Sequence, residues 1–259
     1  MRPIIQAGLA MAVALALAGG CEDEGLEGID PGTLGSATLR FYNFVLPDTG
    51  GPAISIDVSL NQQRVYETGL GYAWRSGGHV QDLIDLPRSS TDESHLANIR
   101  VAEVDSADAL VVTGVWIEKD GHYDLLATGR PASPGSHAPR VMSLLRDRSK
   151  VPSGESRLRL VHAIPDYDSL DVYFGTQLVA TLAGFRSDAA ATVTPAGAGG
   201  DSLTVTLTGV LPAFDGSVDI YHSSSVSLVA DSTTTMVLSY RSGQTTPGGQ
   251  NEAIFQYLE

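Results

Sequence analysis

One short acidic segment carries the residue types that could hold a metal ion. Asp166, Asp168 and Asp171 lie within six positions of one another, and carboxylate oxygens are the ligands that Ca²⁺ prefers. The segment has neither the glycine at the sharp turn nor the closing bidentate glutamate of an EF-type calcium loop. We therefore favour a structural interpretation, in which Asp166 after Pro165 caps a turn and Asp171 faces solvent. The alternative to this structural role is a calcium site, and calcium is the only cofactor that the sequence suggests.

A histidine at the end of an alternating apolar segment is the second candidate for chemistry. His162 is in phase with Leu158 and Leu160, which predicts a side chain on the core side of a strand. His122 and His222 could join it in a metal site, but no two histidines have the His-x-His or His-x-x-x-His spacing that places two ligands on one face. The sequence therefore favours a buried histidine that bonds a backbone carbonyl near the following loop.

A glycine-rich segment with aromatic residues is the candidate for ligand recognition. Tyr72, Trp74 and Arg75 lie in a predicted loop, residues 71–98, that is longer than its counterpart in the second half of the chain. Aromatic rings and arginine stack on ligands, and loops on a rigid scaffold commonly carry recognition. Trp74 is the best surface candidate. For the aromatic residues of this half as a group, with Trp116 and Tyr123, the sequence favours a place in the core, and a surface that stacks on sugars is the alternative.

The common catalytic motifs and a basic surface are both missing from the sequence. It contains no Gly-x-Ser-x-Gly nucleophile elbow, no P-loop and no Gly-x-Gly-x-x-Gly fingerprint. An excess of acidic residues gives a formal charge of -14 at pH 7, whereas proteins that neutralise nucleic-acid phosphates need a basic surface. The sequence thus argues against nucleophilic catalysis, nucleotide binding and a nucleic-acid partner.

Polar and apolar residues alternate along most of the chain and predict β-strands. Residues 38–42, 54–58, 157–161 and 203–208 alternate in this way, with glycine-rich turns between the segments. The best candidate for a helix, residues 77–86, is short and ends before a proline. The sequence therefore predicts an all-β fold built as a sandwich or barrel.

Several segments occur twice, which indicates an internal repeat. The repeat predicts two tandem immunoglobulin-like antiparallel β-sandwich domains, at residues 36–149 and 155–259, joined by a short connector that restricts their relative orientation. Asn43 stands in the first copy where His162 stands in the second, and a small polar group there could make the same bonds. The matched segments are 39–41 with 158–160, 56–58 with 170–172, 70–72 with 183–185, 123–126 with 235–238, and 140–145 with 252–257.

The first twenty residues are typical of an export signal rather than of a folded domain. Arg2 precedes an apolar segment, residues 4–17, that is too short for a permanent transmembrane helix. Residues 18–21, Ala-Gly-Gly-Cys, resemble the bacterial lipobox, which implies cleavage before Cys21 and lipid on its thiol. The alternative is a plain signal peptide with an incidental cysteine. Residues 21–35 are acidic and glycine-rich, and they predict a flexible tether.

The second copy of the repeat resembles the bacterial domain of unknown function 4397. That family begins with a strand ending in Val-His-Ala, followed by Pro-Asp and by an Asp-Val-Tyr strand. The first copy departs from this pattern at Asn43. The resemblance implies an immunoglobulin-like fold and a place in the bacterial envelope, and it brings no catalytic residues with it. The matching residues are Val161, His162, Ala163, Pro165, Asp166, Asp171, Val172 and Tyr173.

These observations lead to three hypotheses about function. The first is a non-catalytic binding or adhesion module with a protein or glycan ligand, anchored to the cell envelope by lipid on Cys21, with the outer membrane as its expected location. The second is a structural or assembly lipoprotein that faces the periplasm. The third is a metal-dependent or carbohydrate-active enzyme with its site in the loop at residues 71–98.

Overall fold

The structure, a computed structural model, covers most of the predicted repeat. The signal segment and Cys21 lie outside the described residues, so the prediction of a lipid anchor falls outside them too. The described residues are 35–48, 53–65, 69–82, 86, 94–195, 201–214, 219–240 and 252–258.

The regular secondary structure of the described residues consists of β-strands and one short 3-10 turn, Gly135–His137. This confirms the all-β prediction. Within this part of the chain, no helix is long and apolar enough to cross a lipid bilayer. The first half contains β1 (Ser36–Val45), β2 (Ile56–Leu60), β3 (Gln63–Arg64), β4 (His79–Asp82), β5 (His95–Glu103), β6 (Ala109–Ile117), β7 (His122–Gly129) and β8 (Arg140–Leu145). The second half contains β9 (Ser156–His162), β10 (Leu170–Phe174), β11 (Gln177–Leu182), β12 (Asp188–Val193), β13 (Asp201–Leu207), β14 (Tyr221–Val226), β15 (Ser232–Tyr240) and β16 (Glu252–Leu258).

Each half of the chain forms two four-stranded sheets. We call β4-β1-β7-β8 and β12-β9-β15-β16 the inner sheets, and β3-β2-β5-β6 and β11-β10-β13-β14 the outer sheets. The two halves have the same strand order, since adding eight to each strand number of the first half gives the second. The architecture is that of β-sandwiches, and the boundaries at residues 36–149 and 155–259 stay a prediction.

The inner sheets are mixed rather than wholly antiparallel. In the first half β1 lies between β4 and β7, antiparallel to β4 and parallel to β7. In the second half β9 has the same relation to β12 and β15. The first strand of each half is therefore central in its sheet, with other strands on both edges.

The strand registers correct two segments of the predicted repeat. Leu39 pairs with Tyr123 in the first half, and its counterpart Leu158 pairs with Thr234 in the second. The predicted match of Tyr123 with Thr235 is therefore wrong by one residue. The match of residues 140–145 with 252–257 is wrong by the same amount, because the last residue of β8 pairs with Tyr123, whereas the last residue of β16, at position 258, pairs with Thr234. Successive side chains of a strand point to opposite faces, so that slip would place every residue of the strand on the wrong side.

The predicted loop at residues 71–98 contains a strand. There β4 pairs with the beginning of β1, so the described part of the helix candidate at residues 77–86 contains a strand instead. Nearer the centre of β1, the hydroxyl of Ser76 accepts a 2.8 Å hydrogen bond from the backbone N–H of Phe41. The first part of this segment therefore follows the edge of the inner sheet.

Two apolar cores occupy different places in the molecule. One lies between the sheets of the first half and includes Leu39, Phe41 and Ile99. The other fills the second half, and it also includes side chains of the first half such as Tyr42 and Phe44. Phe41 and Phe44 lie on opposite faces of β1, because side chains alternate along a strand. The two inner sheets therefore face each other, and the protein is a stack of four sheets.

Candidate functional site

Aromatic side chains from both halves join the two inner sheets. The ring of Phe44 lies 5.9 Å from that of Tyr72, 5.5 Å from that of Phe255 and 6.4 Å from that of Tyr257, between centroids. Tyr257 also lies 5.0 Å from Tyr42, nearly edge to face. Such tilted and edge-to-face arrangements are the ones that ring quadrupoles favour. This aromatic junction fixes one half of the protein against the other.

Two of the three predicted recognition residues belong to this aromatic junction. Tyr72 is only 7% exposed, and its hydroxyl lies 2.7 Å from the hydroxyl of Ser239 and donates a 2.7 Å hydrogen bond to the carbonyl of Tyr240. Burial holds the pKa of Tyr72 above its ordinary value. The guanidinium of Arg75 lies 5.6 Å from the ring centroid of Tyr257. Tyr72 and Arg75 therefore contact the second half, and Tyr72 is withdrawn from any exposed recognition surface.

Trp74, the third of these residues, is exposed. Its side chain is 68% accessible, while its backbone is fixed to β1: the Trp74 carbonyl accepts from Asn43 at 3.2 Å, and Ala73 donates to the Asn43 carbonyl at 2.7 Å. The core interpretation is confirmed for Tyr72 but wrong for both tryptophans, because Trp116 on β6 is 52% exposed as well. The structure thus presents Trp74 from a segment that hydrogen bonds hold in place.

Asp166 takes part in an ion pair between the halves. Its carboxylate accepts two hydrogen bonds from Arg130, at 3.2 and 2.6 Å, and a third from the hydroxyl of Tyr240 at 2.7 Å. Burial and the adjacent carboxylate hold the pKa of Tyr240 above its ordinary value. Arg130 directly follows β7 of the first half. Asp166 therefore connects the halves, a role that the turn-cap interpretation did not foresee.

The three predicted calcium ligands do not come together. Asp171 is buried, contrary to the expectation that it faces solvent. Its two carboxylate oxygens accept from the Thr181 hydroxyl at 2.6 Å and from the Gly209 N–H at 3.2 Å, whereas Asp168 is exposed. In the part of the chain that the structure describes, no three side chains of His, Cys, Asp or Glu form a group that could hold a metal ion.

His162 has the environment that the sequence predicted. Its ring is fully buried, Nε2 lies 2.9 Å from the carbonyl of Tyr167, and Nδ1 accepts a 3.3 Å hydrogen bond from the N–H of Ile164. This pattern assigns the neutral ring with its proton on Nε2. Burial lowers the pKa of His162 to about 4, against the opposing effect of the carbonyl. In the first half, Asn43 accepts from the N–H of Val45 in the same way, at 3.0 Å.

The other two histidines considered for a metal site lie apart from His162. Nε2 of His122 is 2.8 Å from a guanidinium nitrogen of Arg148, and Nδ1 of His222 is 2.9 Å from the hydroxyl of Thr204. Each of the three rings therefore has a different neighbour, and the described structure does not combine them into one site.

Arg186, which no sequence motif indicated, crosses from the second half to the first. Its Nε donates to the hydroxyl of Thr128 at 2.9 Å, and its two terminal nitrogens donate to the carbonyls of Ser136, at 2.5 Å, and Ala138. The guanidinium also lies 4.3 Å from the ring centroid of Phe185. Burial, aided by the nearby positive charge of another arginine, lowers the pKa of Arg186 to about 10. No local pattern in the sequence marks such a contact, because its partners lie about fifty residues earlier in the chain.

Comparison with known proteins adds no assignment to this geometry. No protein-family model matches the chain, and no curated protein matches it in sequence. The evidence for its function is therefore its residues and their contacts.

Proposed function

We propose that this protein is a non-catalytic binding module, anchored to the bacterial envelope by lipid on Cys21 and built from domains of the family of unknown function 4397. The observation that carries the binding role is Trp74, an exposed aromatic side chain on a hydrogen-bonded backbone. Tryptophan is enriched among the residues that dominate binding energies, and a fixed backbone lowers the entropy lost when a ligand binds.

Three of the residues first considered for chemistry support a non-catalytic role because they have structural partners. Asp166 bonds Arg130, Asp171 bonds Thr181, and the ring of His162 bonds a backbone carbonyl. Groups that are committed in this way hold the fold together. An enzyme whose site lies at residues 71–98 is the less favoured alternative.

Replacing Trp74 by alanine tests the binding role. We expect the purified protein to bind members of an array of immobilised envelope and host-surface glycans. The Trp74→Ala variant should bind them at least tenfold more weakly, because a central aromatic contact is commonly worth about 2 kcal/mol, which is roughly thirtyfold in affinity. Trp116→Ala is the matched control, because it removes the other exposed tryptophan from an outer sheet. Equal binding by the wild-type protein and Trp74→Ala would exclude Trp74 as the contact.

Replacing Cys21 by serine tests the anchor. We expect the wild-type protein to partition into the detergent phase of a phase-separating detergent, and the Cys21→Ser variant to stay in the aqueous phase. At roughly 0.8 kcal/mol for each buried CH₂ group, two acyl chains give a stable anchor that serine cannot carry. Mass spectrometry should find the chain cleaved before Cys21 and increased by the mass of the lipid. Identical partitioning of the two proteins would contradict lipid attachment.

Protease treatment of intact cells then separates the binding hypothesis from the assembly hypothesis. Degradation of the second half in intact cells favours a surface adhesin. Protection until the outer membrane is permeabilised favours the periplasm-facing structural lipoprotein, and chemical crosslinking would then identify its envelope partner.

A further inference from the structure

A cleft of about 450 Å³ opens where the connector passes between the two halves. Its basic lining residues are Arg40 on β1 together with Arg146, Arg148 and Lys150 of the segment after β8, and His122 at the start of β7 lies beside them. The turn before β15 and the beginning of that strand form the opposite wall. A volume of this size is typical of sites for small organic molecules.

Arg40 is the most informative residue of the cleft. One of its terminal nitrogens, Nη1, is buried and has no hydrogen-bond partner among the described residues. Arg40 is the register partner of the buried Asp124, whose Oδ2 lies 3.5 Å from Nε of Arg146 and 3.7 Å from Nη1 of Arg159. Several guanidinium groups therefore surround one carboxylate. The guanidinium charges outnumber this carboxylate, and a buried cationic donor is costly unless it is paired with an anion.

His122 shows that the positive charges converge on one place. Its Nε2 lies against Arg148, and its pKa is lowered by partial burial and by the charges of Arg148, Arg146 and Arg40, against the opposite effect of Asp120. A neutral ring that accepts a hydrogen bond at Nε2 carries its proton on Nδ1. The imidazole is therefore an acceptor for Arg148 within a group of positive charges.

The two acidic residues of the cleft wall are held by other groups. Asp147 accepts a 2.8 Å hydrogen bond from the N–H of Ser149 and lies 3.1 Å from a terminal nitrogen of Arg157. Asp231 accepts a 2.8 Å hydrogen bond from the N–H of Gly154. Four cationic side chains and two carboxylates line the cleft, so it has an excess of positive charge in a chain whose net charge is -14. Such a concave patch concentrates anions.

We propose that this cleft binds a small molecule carrying a phosphate group, with Arg40, Arg146 and Arg148 as the phosphate ligands and Lys150 at the rim. The planar fork of arginine matches two phosphate oxygens at once, and charge-assisted hydrogen bonds of this kind are among the strongest that side chains make. The phosphate belongs either to a free phosphomonoester or to a lipid headgroup. This site is separate from Trp74 and does not rest on the proposed function.

The test is a calorimetric titration of the purified Cys21→Ser chain, which has no thiol to carry lipid. Glycerol 3-phosphate is the soluble probe, and vesicles of phosphatidylcholine with and without phosphatidic acid are the membrane probes. We expect saturable binding of the soluble probe or of the phosphatidic-acid vesicles, and the arm that binds identifies the source of the phosphate. Binding of neither probe would overturn the proposal.

Two arginine variants separate a built site from general charge attraction. We expect Arg40→Gln to weaken binding at least tenfold, and Arg64→Gln, which removes an equal charge from an outer sheet where Arg64 pairs with Asp57, to leave it unchanged. Equal weakening by both variants would overturn the proposal. Arg148 is exposed, so Arg148→Gln gives the same test without altering a buried position should Arg40→Gln fail to fold.

The ring of His122 is a direct reporter of occupancy. A bound phosphate counteracts the guanidinium charges, so the His122 titration midpoint followed by NMR should rise on addition of the bound probe. The rise should be absent in Arg40→Gln. A midpoint that is unchanged at saturating probe would place the anion elsewhere and overturn the assignment.

Discussion

Replacing Phe44 by alanine should lower the free energy of unfolding by about 3 to 5 kcal/mol, the usual cost of emptying a buried phenylalanine site. The same change should also separate the unfolding of the two halves. Phe44 is fully buried, and its ring contacts Tyr72 of its own half and Phe255 and Tyr257 of the other. A cavity at this point weakens the aromatic junction that joins the inner sheets.

Phe41→Ala is the matched control for this prediction. Phe41 lies on the same strand and is equally buried, but it packs into the core of the first half. Both variants should be destabilised by a similar amount. Differential scanning calorimetry should resolve two transitions for Phe44→Ala and one for the wild-type protein and for Phe41→Ala. A single transition in Phe44→Ala, at the temperature of Phe41→Ala, would show that the aromatic junction does not couple the halves.

Replacing His162 by asparagine should remove a pH dependence of stability worth about 3 kcal/mol, because its folded pKa of about 4 lies well below the ordinary value of 6.5. The unfolded chain takes up a proton on this histidine as the pH falls through 6.5, and the folded chain does so only near pH 4. The stabilising contribution is therefore complete above pH 6.5 and is lost as the pH falls toward 4. Asparagine does not titrate, and the equivalent Asn43 shows that it can accept the local backbone hydrogen bond.

The measurement is urea unfolding of the wild-type protein and His162→Asn at several pH values between 4 and 7. The difference between the two free energies of unfolding should change by about 3 kcal/mol over this range, in favour of the variant at low pH. Taking the difference removes the contributions of His79 and His122, whose pKa values burial also lowers. Parallel curves would mean that the His162 ring is protonated as readily in the folded protein as in the unfolded chain.

Local alternation was enough to predict the fold class and the burial of His162. It places Leu158, Leu160 and His162 on one face of β9, and the core that they enter is the one the structure contains. The equivalence of Asn43 and His162 also follows from the sequence, because both sit four residues after a matched leucine.

The alternation of polar and apolar residues did not predict the faces of a strand that is covered on both sides. All the residues of β1 from Phe41 to Val45 are buried, because one face meets the core of the first half and the other meets the second half. In β15, Thr234 and Thr235 are adjacent and both buried, so polarity does not reveal which face each one occupies. The one-residue error in the predicted repeat arose in this strand. A continuous buried run of this kind is itself the sign of a strand enclosed between two layers.

The contacts between the halves could not be predicted because they join residues that are distant in the chain. The local acidic segment indicates a turn cap for Asp166, but the charge of Asp166 is balanced by Arg130 of the other half. The glycine-rich segment around Tyr72 indicates a recognition loop, but the Tyr72 hydroxyl bonds Ser239 and Tyr240. Composition and spacing describe near neighbours only, and these partners are far away in the chain.

The parallel pairing of the first strand in each half has a kinetic consequence. β1 forms its ladder with β7, in which Thr38 pairs with His122, and β9 with β15, in which Ser156 pairs with Ser232. Neither inner sheet can close until nearly the whole of its half has been synthesised, and closing such long loops costs chain entropy before any contact is gained. Each first strand can pair early with β4 or β12 at one edge, but its other edge must wait for a partner that comes from the end of the same half. The folding rate should depend chiefly on that late encounter, and the two halves, with the same topology, share the same slow step.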